Sequence, residues 1–369
     1  MKIALYHTTL PEPHRKVGGV EAVVHRLATA LTVHAGLDVT VLSLTPAPHN
    51  APYRHRQLFP NHRWLADRAW ARWFVLPALL NGVSLQAYDV VHLHGDDWFW
   101  LRRGCPSVRT MHGSARDEAR TATSLKRQLA QWAVYPLEHV AARRATQAWA
   151  ISPPCTALYR AARCMPNGVS LDRFRPGPKA EQPTLLFVGT WAGRKRGGWL
   201  FDRFRETVVP AIPDAELVMV SDTVSDACRT HPNVRVLDRP DDDTLAAWYR
   251  RAWVFAYPSV YEGFGLTYIE AMASGTPIVA SPNPGAQYVL DAGTYGAVVD
   301  DGAFASTLTA LLHDPERRRH MAVQGLARAE AFSWPAIARQ HADAYASLLG
   351  MPLPVPNSRA PVSSALGRA

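Results

Sequence analysis

Residues 258–277 read PSVYEGFGLTYIEAMASGTP, and the fold turns on this stretch. The four residues before it, 254–257, form a short apolar strand that stops at Pro258. A glycine-rich loop follows, and a helix starts near Gly265, the strand–loop–helix order of a βαβ unit. Gly263 and Gly265 free backbone amides at a helix N-terminus, where hydrogen bonds and the helix dipole both favour a phosphate. Glu262 stands in the loop, and Glu270 lies eight residues on, inside the helix. A carboxylate accepts hydrogen bonds from the vicinal hydroxyls of a sugar. Two carboxylates flanking phosphate-binding amides therefore suit a nucleotide sugar, with one hydroxyl-rich ring at each end. Either glutamate alone reads as a solvated surface residue. The Gly263-x-Gly265 pair and the small-residue run 271–277 favour a site.

Working outward, short apolar runs alternate with amphipathic stretches along the whole chain, the signature of parallel sheets covered by helices. A first series predicts strands at 2–7, 39–44, 90–93, 108–111 and 148–151, with a helix at 19–35. A second series starts afresh at 184–188, with strands at 216–220, 234–237, 254–257, 278–280 and 297–299. Between them, residues 166–178 are rich in proline and glycine and read as a linker. The expectation is an α/β protein of two doubly wound, Rossmann-like domains facing a cleft, with ligands outside the carboxyl ends of the strands. The boundaries are 1–180, 181–334, a helix at 335–350 and a disordered tail at 351–369.

Length and composition agree. The chain has 369 residues, 47% hydrophobic and 19% charged, as folded domains do, and the length suits two of them. Its net charge of +9 is uneven: residues 1–180 hold 23 Lys/Arg against 11 Asp/Glu, and residues 181–369 hold 17 against 20. A basic first half suggests an anionic surface there. The four cysteines show no CxxC spacing, so reduced thiols in a cytoplasmic setting are expected. The apolar runs are too short for a signal-peptide core or a membrane span.

Three further stretches carry chemistry. Residues 188–198, VGTWAGRKRGG, follow a strand and open a helix, and Arg194, Lys195 and Arg196 there would offset the charge of a departing diphosphate. Gly18-Gly19-Val20-Glu21 opens the first helix. Residues 108–114, VRTMHGS, end a strand in His112-Gly113. In DVVHLHGDDW, 89–98, His92, His94, Asp96 and Asp97 admit a metal-site reading, ranked low beside an acceptor-side one.

Taken together and in this order, these motifs resemble the retaining glycosyltransferases of family 4, with their Glu-x7-Glu signature and GT-B fold. Pro166-Asn167-Gly168-Val169 with Phe174-Arg175-Pro176 resembles the end of that family's first domain. Phe332-Ser333-Trp334 and the final helix resemble the element that crosses back to it. The resemblance implies that Glu270 accepts from the ribose and that Glu262 contacts the transferred sugar. Amides of Phe264, Gly265 and Leu266 would hold the diphosphate, and Gly18 and Gly19 would let the backbone approach the distal phosphate. His112 would face the donor sugar, with Arg194, Lys195 and Arg196 on the phosphates. The family's Arg and Lys positions are occupied here by Thr190 and Arg196, leaving Arg194 or Lys195 to fill the vacant role. Asp238 and Tyr288 also depart from the pattern. The implied reaction needs no cofactor and no metal: an acceptor hydroxyl attacks from the front face and the leaving phosphate takes its proton. Domain closure assembles the site. An epimerase on the same fold and a non-catalytic nucleotide-sugar-binding protein are the alternatives.

The acceptor is expected to be a saccharide or a lipid-linked group. Residues 54–80 interleave Arg63, Arg68 and Arg72 with Trp64, Trp70, Trp73 and Phe74, which suits a helix lying on an anionic membrane, although aromatic residues at helical spacing also suit a core. Trp98-Phe99-Trp100 with Arg102-Arg103 adds a second such patch. A cytoplasmic protein peripheral to the inner membrane face follows from this reading. No nucleic-acid-binding motif is present, and no nucleic-acid partner is expected.

Overall fold

The computed structural model describes residues 1–12, 18–62, 64–68, 70–101, 104–122 and 124–352. Arg63, Arg102, Arg103 and all but the first two residues of the expected tail lie outside the described residues.

Seven parallel strands form the first sheet: β1 Lys2–Tyr6, β2 Asp38–Ser43, β3 Arg54–Gln57, β4 Val90–Leu93, β5 Ser107–Met111, β6 Gln147–Ala150 and β7 Arg163–Cys164. Their order is β3-β2-β1-β4-β5-β6-β7. Six parallel strands form the second: β8 Thr184–Val188, β9 Glu216–Val220, β10 Val234–Leu237, β11 Val254–Tyr257, β12 Ile278–Ala280 and β13 Ala297–Val298, in the order β10-β9-β8-β11-β12-β13. Central strands such as β4 and β11 are buried along their whole length, because helices cover both faces of a parallel sheet.

Each sheet reverses its strand order once, between β1 and β4 in the first and between β8 and β11 in the second. Such a reversal opens a crevice at the carboxyl ends of the two strands. The first crevice is walled by His7-Thr8-Thr9 and by residues 94–97, the second by residues 189–196 and 258–265.

The last helix, Trp334–Leu349, belongs to the core of the first domain. Trp334, Ile337, Ala338, Ala342 and Tyr345 share one apolar cluster with Ile3, Leu5, Val24, Leu27 and Leu31. Ser333 makes a parallel bridge to Val169, and Val169 donates its amide to the Phe332 carbonyl at 2.8 Å. The chain thus passes between the domains twice, side by side.

Residues 54–80 are not one surface helix. Arg54–Gln57 is an edge strand, paired Thr40↔Arg54 through Ser43↔Gln57. After it come short pieces: a helix at Trp64–Asp67, a π turn at Ala71–Val75, a helix at Leu76–Leu79 and a 3₁₀ turn at Leu80–Gly82. Pro77 falls in the first turn of the second of these helices, directly after the π turn, where its missing N–H is tolerated. The aromatic residues divide: Trp70 and Phe74 are exposed, Trp73 is half-buried, and Trp98 is buried with its indole N–H donated to the Trp73 carbonyl at 2.7 Å.

Candidate active site

The loop after β11 is shaped by its glycines. Gly265 has φ +91°, and a Cβ there would lie 2.3 Å from the Tyr268 ring, so only glycine can open the Leu266–Ala273 helix at this point. A Cβ on Gly263 would come within 3.3 Å of the Gly113 Cα and 3.5 Å of the His112 carbonyl oxygen. The backbones of the two domains therefore meet here, beside His112.

Glu262 is 7% exposed, and its Oε1 is the focus of the second crevice. It accepts from Arg194 Nη1 at 2.7 Å, Ser259 Oγ at 2.7 Å and Tyr257 OH at 3.1 Å, and from Lys195 Nζ. Burial raises this carboxyl, but Lys195 and then Arg194 outweigh it and hold it below the usual carboxylate range. Burial in turn pushes the Lys195 ammonium down, against the attraction of Glu262. The loops after β8 and β11 are also tied through backbone, Val260 N–H donating to the Arg194 carbonyl at 2.9 Å.

Sequence placed Arg194, Lys195 and Arg196 in one cluster; the structure divides them. Arg196 makes two bonds of 2.7 Å to Asp301, one of 2.8 Å to Ser281 Oγ and one of 2.7 Å to the Pro258 carbonyl, and it stacks 4.5 Å over Trp199. Its backbone is left-handed, φ +56°, at the start of the Gly197–Arg203 helix, so its side chain departs in a different direction from the other two. Arg194 and Lys195 are the cations that meet Glu262.

Glu270 is half-buried between the domains, and desolvation there pushes its carboxyl up to about 7 against the opposing pull of Arg26 and Tyr249. Arg26 comes from the first domain's helix Gly19–Val33 and stands 3.8 Å from Asp242 of the second. Sequence reasoning missed Arg26, because nothing in its surroundings on the chain marks it as reaching across a cleft.

His112 follows β5. Its Nε2 shares a hydrogen with His94 Nδ1 at 2.9 Å. The His94 ring lies 4.1 Å from that of His92, whose own nitrogens meet Tyr345 OH at 2.6 Å and Thr110 Oγ1 at 2.7 Å. Burial, with the neighbouring imidazoles and Arg109, holds His92, His94 and His112 well below the usual imidazole range. All three are neutral at pH 7. The i, i+2 spacing of His92 and His94 was visible in the sequence; the pairing of His94 with His112 was not. Asp97 pairs with Arg109 at 2.8 Å, and burial pushes its carboxyl up to about 6. Among the described residues no three or more His, Cys, Asp or Glu side chains are grouped as a metal would need.

Gly18 and Gly19 stand over the first crevice. The Gly18 amide and the Thr9 hydroxyl donate to Glu21, at 3.2 and 2.5 Å. Nothing lies within 4 Å of where a Gly19 Cβ would be. A cavity of about 360 Å³ opens below, lined by His112, Gly19, Glu21, Asp96 and Glu118 among others. A second, of about 260 Å³, bridges the domains between Ser114 and Tyr261.

A model of glycosyltransferase family 4 matches residues 17–173, and one of glycosyl transferases group 1 matches residues 182–314, so each covers one domain. A phosphatidyl-myo-inositol mannosyltransferase of Mycobacterium leprae is 27% identical over 320 residues, 80% of this chain and 79% of that protein. Among solved structures, sucrose-phosphate synthase from Thermosynechococcus elongatus superposes with a TM-score of 0.75 at 24% identity over 95% of this chain and 99% of that one. Anabaena HepE in complex with UDP and glucose superposes with a TM-score of 0.67 at 18% identity over 94% of this chain and 100% of that one. The epimerase and binding-only alternatives fall away: the chain belongs to glycosyltransferase family 4, a glycosyltransferase of the GT-B fold.

Proposed function

We propose that the chain moves a sugar from a nucleoside-diphosphate donor to an acceptor hydroxyl with retention of anomeric configuration, without a metal, in the synthesis of a cell-surface polysaccharide or glycolipid. One observation carries this reading: Glu262, Arg194 and Lys195 of one domain converge where Gly263 touches Gly113 and His112 of the other. This closeness supports reading a sugar-binding carboxylate, phosphate-binding cations and His112 as parts of one interdomain site.

In the proposed reaction the donor's anomeric C–O bond breaks as the acceptor oxygen bonds to the same carbon and face. The acceptor proton passes to the leaving diphosphate. Arg194 and Lys195, carrying one positive charge in excess of Glu262, stabilise the charge that gathers on that diphosphate. Phe264, Gly265 and Leu266 contribute amides, and Gly18 and Gly19 admit the distal phosphate; the empty space over Gly19 suits that role. Glu270 takes the ribose hydroxyls and Glu262 the transferred sugar. Neutral His112 donates or accepts one hydrogen bond at the sugar. Arg196 shapes the loop through Asp301, Ser281 and Pro258 and acts on the donor through that shape.

Melting the full chain against nucleoside diphosphates and their sugars tests the donor assignment, since a ligand bound only by the native state raises its stability. At least one pair should raise Tm in the native chain and fail in Glu270→Ala; an unchanged affinity in that variant would sink the assignment. HepE was solved with UDP and glucose, and the uridine nucleotides are the first to try.

No helix among the described residues is long and apolar enough to cross a membrane. Peripheral attachment at the cytoplasmic membrane face is the proposal, carried by the exposed Trp70 and Phe74 and by a stripe on the Leu125–Arg144 helix, where Leu125, Leu129 and Trp132 project at i, i+4 and i+7. Flotation with anionic liposomes at low salt should carry the native chain upward and leave Trp70→Ser/Leu129→Ser behind. A native chain that stays at the bottom removes the membrane from the scheme.

A further inference from the structure

His94 and His112 leave the carboxyl ends of neighbouring parallel strands, β4 and β5, whose register pairs Leu93 with Arg109. His94 Nδ1 and His112 Nε2 stand 2.9 Å apart. Burial, the neighbouring imidazoles and Arg109 keep both rings uncharged at pH 7. A neutral imidazole carries one N–H and one bare nitrogen, so two such rings in contact share a hydrogen in one of two ways. In the first, His94 donates from Nδ1, which leaves its Nε2 bare and puts the hydrogen of His112 on Nδ1. In the second, His112 donates from Nε2, which puts the hydrogen of His94 on Nε2 and leaves His112 Nδ1 bare.

The far side of the His94 ring decides between them. His94 is 3% exposed, and its Nε2 is buried with no partner among the described residues. His92, whose ring lies 4.1 Å away, offers nothing, because Tyr345 and Thr110 occupy both its nitrogens. A buried N–H without an acceptor is the rarer and costlier defect, whereas an acceptor lone pair left unmatched is tolerated more often. The hydrogen of His94 therefore sits on Nδ1, where it has a partner. His112 accepts it at Nε2 and carries its own hydrogen on Nδ1. His112 is only half-buried, it lines the cavity beside Gly19, and its Nδ1 makes no bond among the described residues.

Resting on the transferase reading above, which sets His112 against the donor sugar, we infer that His94 is a positioning residue: it fixes His112 as a hydrogen-bond donor, through Nδ1, to an oxygen of the transferred sugar. A free histidine side chain favours the hydrogen on Nε2, so without His94 the ring would offer the sugar a bare nitrogen. The difference matters beside Glu262. A sugar hydroxyl that gives its hydrogen to a carboxylate keeps lone pairs for a donating imidazole, whereas an accepting imidazole competes with the carboxylate for that hydrogen.

The test is imidazole nitrogen-15 NMR on the full chain without nucleotide. Among the 15 histidines, His94 and His112 are assigned by their loss from the spectra of His94→Phe and His112→Gln. Native His112 should show a protonated Nδ1 and a bare Nε2, and His94→Phe should shift it toward the Nε2–H form. His94→Asn keeps a donor near the place of Nδ1; it should retain the native form, and it serves if His94→Phe does not fold. A protonated Nε2 in native His112 overturns the inference, as does a tautomer unchanged in His94→Phe. The effect on binding is read by isothermal titration with the nucleotide sugar that raises Tm of the native chain, and with its bare nucleoside diphosphate. His94→Phe should bind the nucleotide sugar about fivefold more weakly, the worth of one neutral hydrogen bond, and the bare diphosphate within about twofold of the native chain. Equal losses for the two, or no loss for either, overturn the role of His94, since a general folding defect weakens both. Failure of the donor reading shows separately, as the absence of a Tm shift with every nucleotide, and the NMR still decides the tautomer.

Discussion

Glu270 carries a carboxyl pushed up to about 7 by burial, from an ordinary value of 4.5. An ionised carboxylate accepts from two ribose hydroxyls more strongly than a protonated one, so donor binding should strengthen as pH rises from 6 to 8. Isothermal titration of the donor across that range checks this, and Glu270→Gln should flatten the profile while weakening binding at pH 8. The same shift has a consequence for stability. Between about 4.5 and 7 the folded carboxyl holds its proton more tightly than the unfolded one, so this group's contribution to stability falls as pH rises through that window. Glu270→Gln should therefore melt higher than the native chain at pH 8, and the gain should vanish near pH 4.5. Glu262 is the opposite case, kept ionised by two cations. Removing Lys195 or Arg194 leaves its charge less compensated and the diphosphate less stabilised. Lys195→Ala should lower kcat by roughly 10²-fold, the usual cost of one preorganised charge-stabilising donor, with a smaller change in donor KM. Of these side chains, Glu262, Arg194, Lys195 and His112 were legible as residue types at strand ends, and Glu270 in the helix that follows one. Arg26, Tyr257 and Ser259 were not, and His94 was legible as a candidate but its pairing with His112 was not, because what recruits them is proximity that only the fold supplies.

The loop after β11 and the helix Leu266–Ala273 depend on one backbone conformation. Gly265→Ala would force a left-handed residue to carry a Cβ at 2.3 Å from the Tyr268 ring. A destabilisation of about 2 kcal/mol or more is expected from strain and overpacking, read as a shift in the urea midpoint. Arg196 works at the same scale, clasping the loop after β8 to Pro258, Ser281 and Asp301. Arg196→Ala should lower Tm as well as turnover, and Asp301→Asn should reproduce part of the Tm loss. A variant with normal Tm and low kcat would place Arg196 on the donor itself. The strands of both sheets were legible because buried parallel strands are short and apolar on both faces. The two edge strands of the first sheet, Arg54–Gln57 and Arg163–Cys164, were not, since an edge strand as polar as RHRQ or as short as two residues has the composition of a surface segment. The π and 3₁₀ turns of residues 71–82 were hidden for a similar reason: helical spacing of aromatic residues does not say where a helix breaks.

Across the whole molecule, the first domain is closed by the returning helix over a cluster of buried imidazoles. His7, His92, His94, His112 and His341 are all held below the usual imidazole range by burial, His341 down to about 4. Each must gain a proton in the unfolded chain before it does in the folded one, so stability falls as pH drops below about 6.5. His341 alone, 4% exposed, accounts for about 3 kcal/mol between its ordinary value of 6.5 and about 4. Urea denaturation from pH 7.5 to 4.5 should show a steep loss, made shallower in His341→Gln. By itself the sequence determined the two α/β domains and the strand-end motifs, because hydrophobic period, glycine and proline act over a few residues at a time. Only the tertiary structure decided that Arg196 parts from Lys195, that His94 backs His112, and that the cavity within the basic half is lined by carboxylates. Those outcomes depend on which strand ends the sheet order brings together, and a net charge summed along the chain carries no information about which way its side chains face.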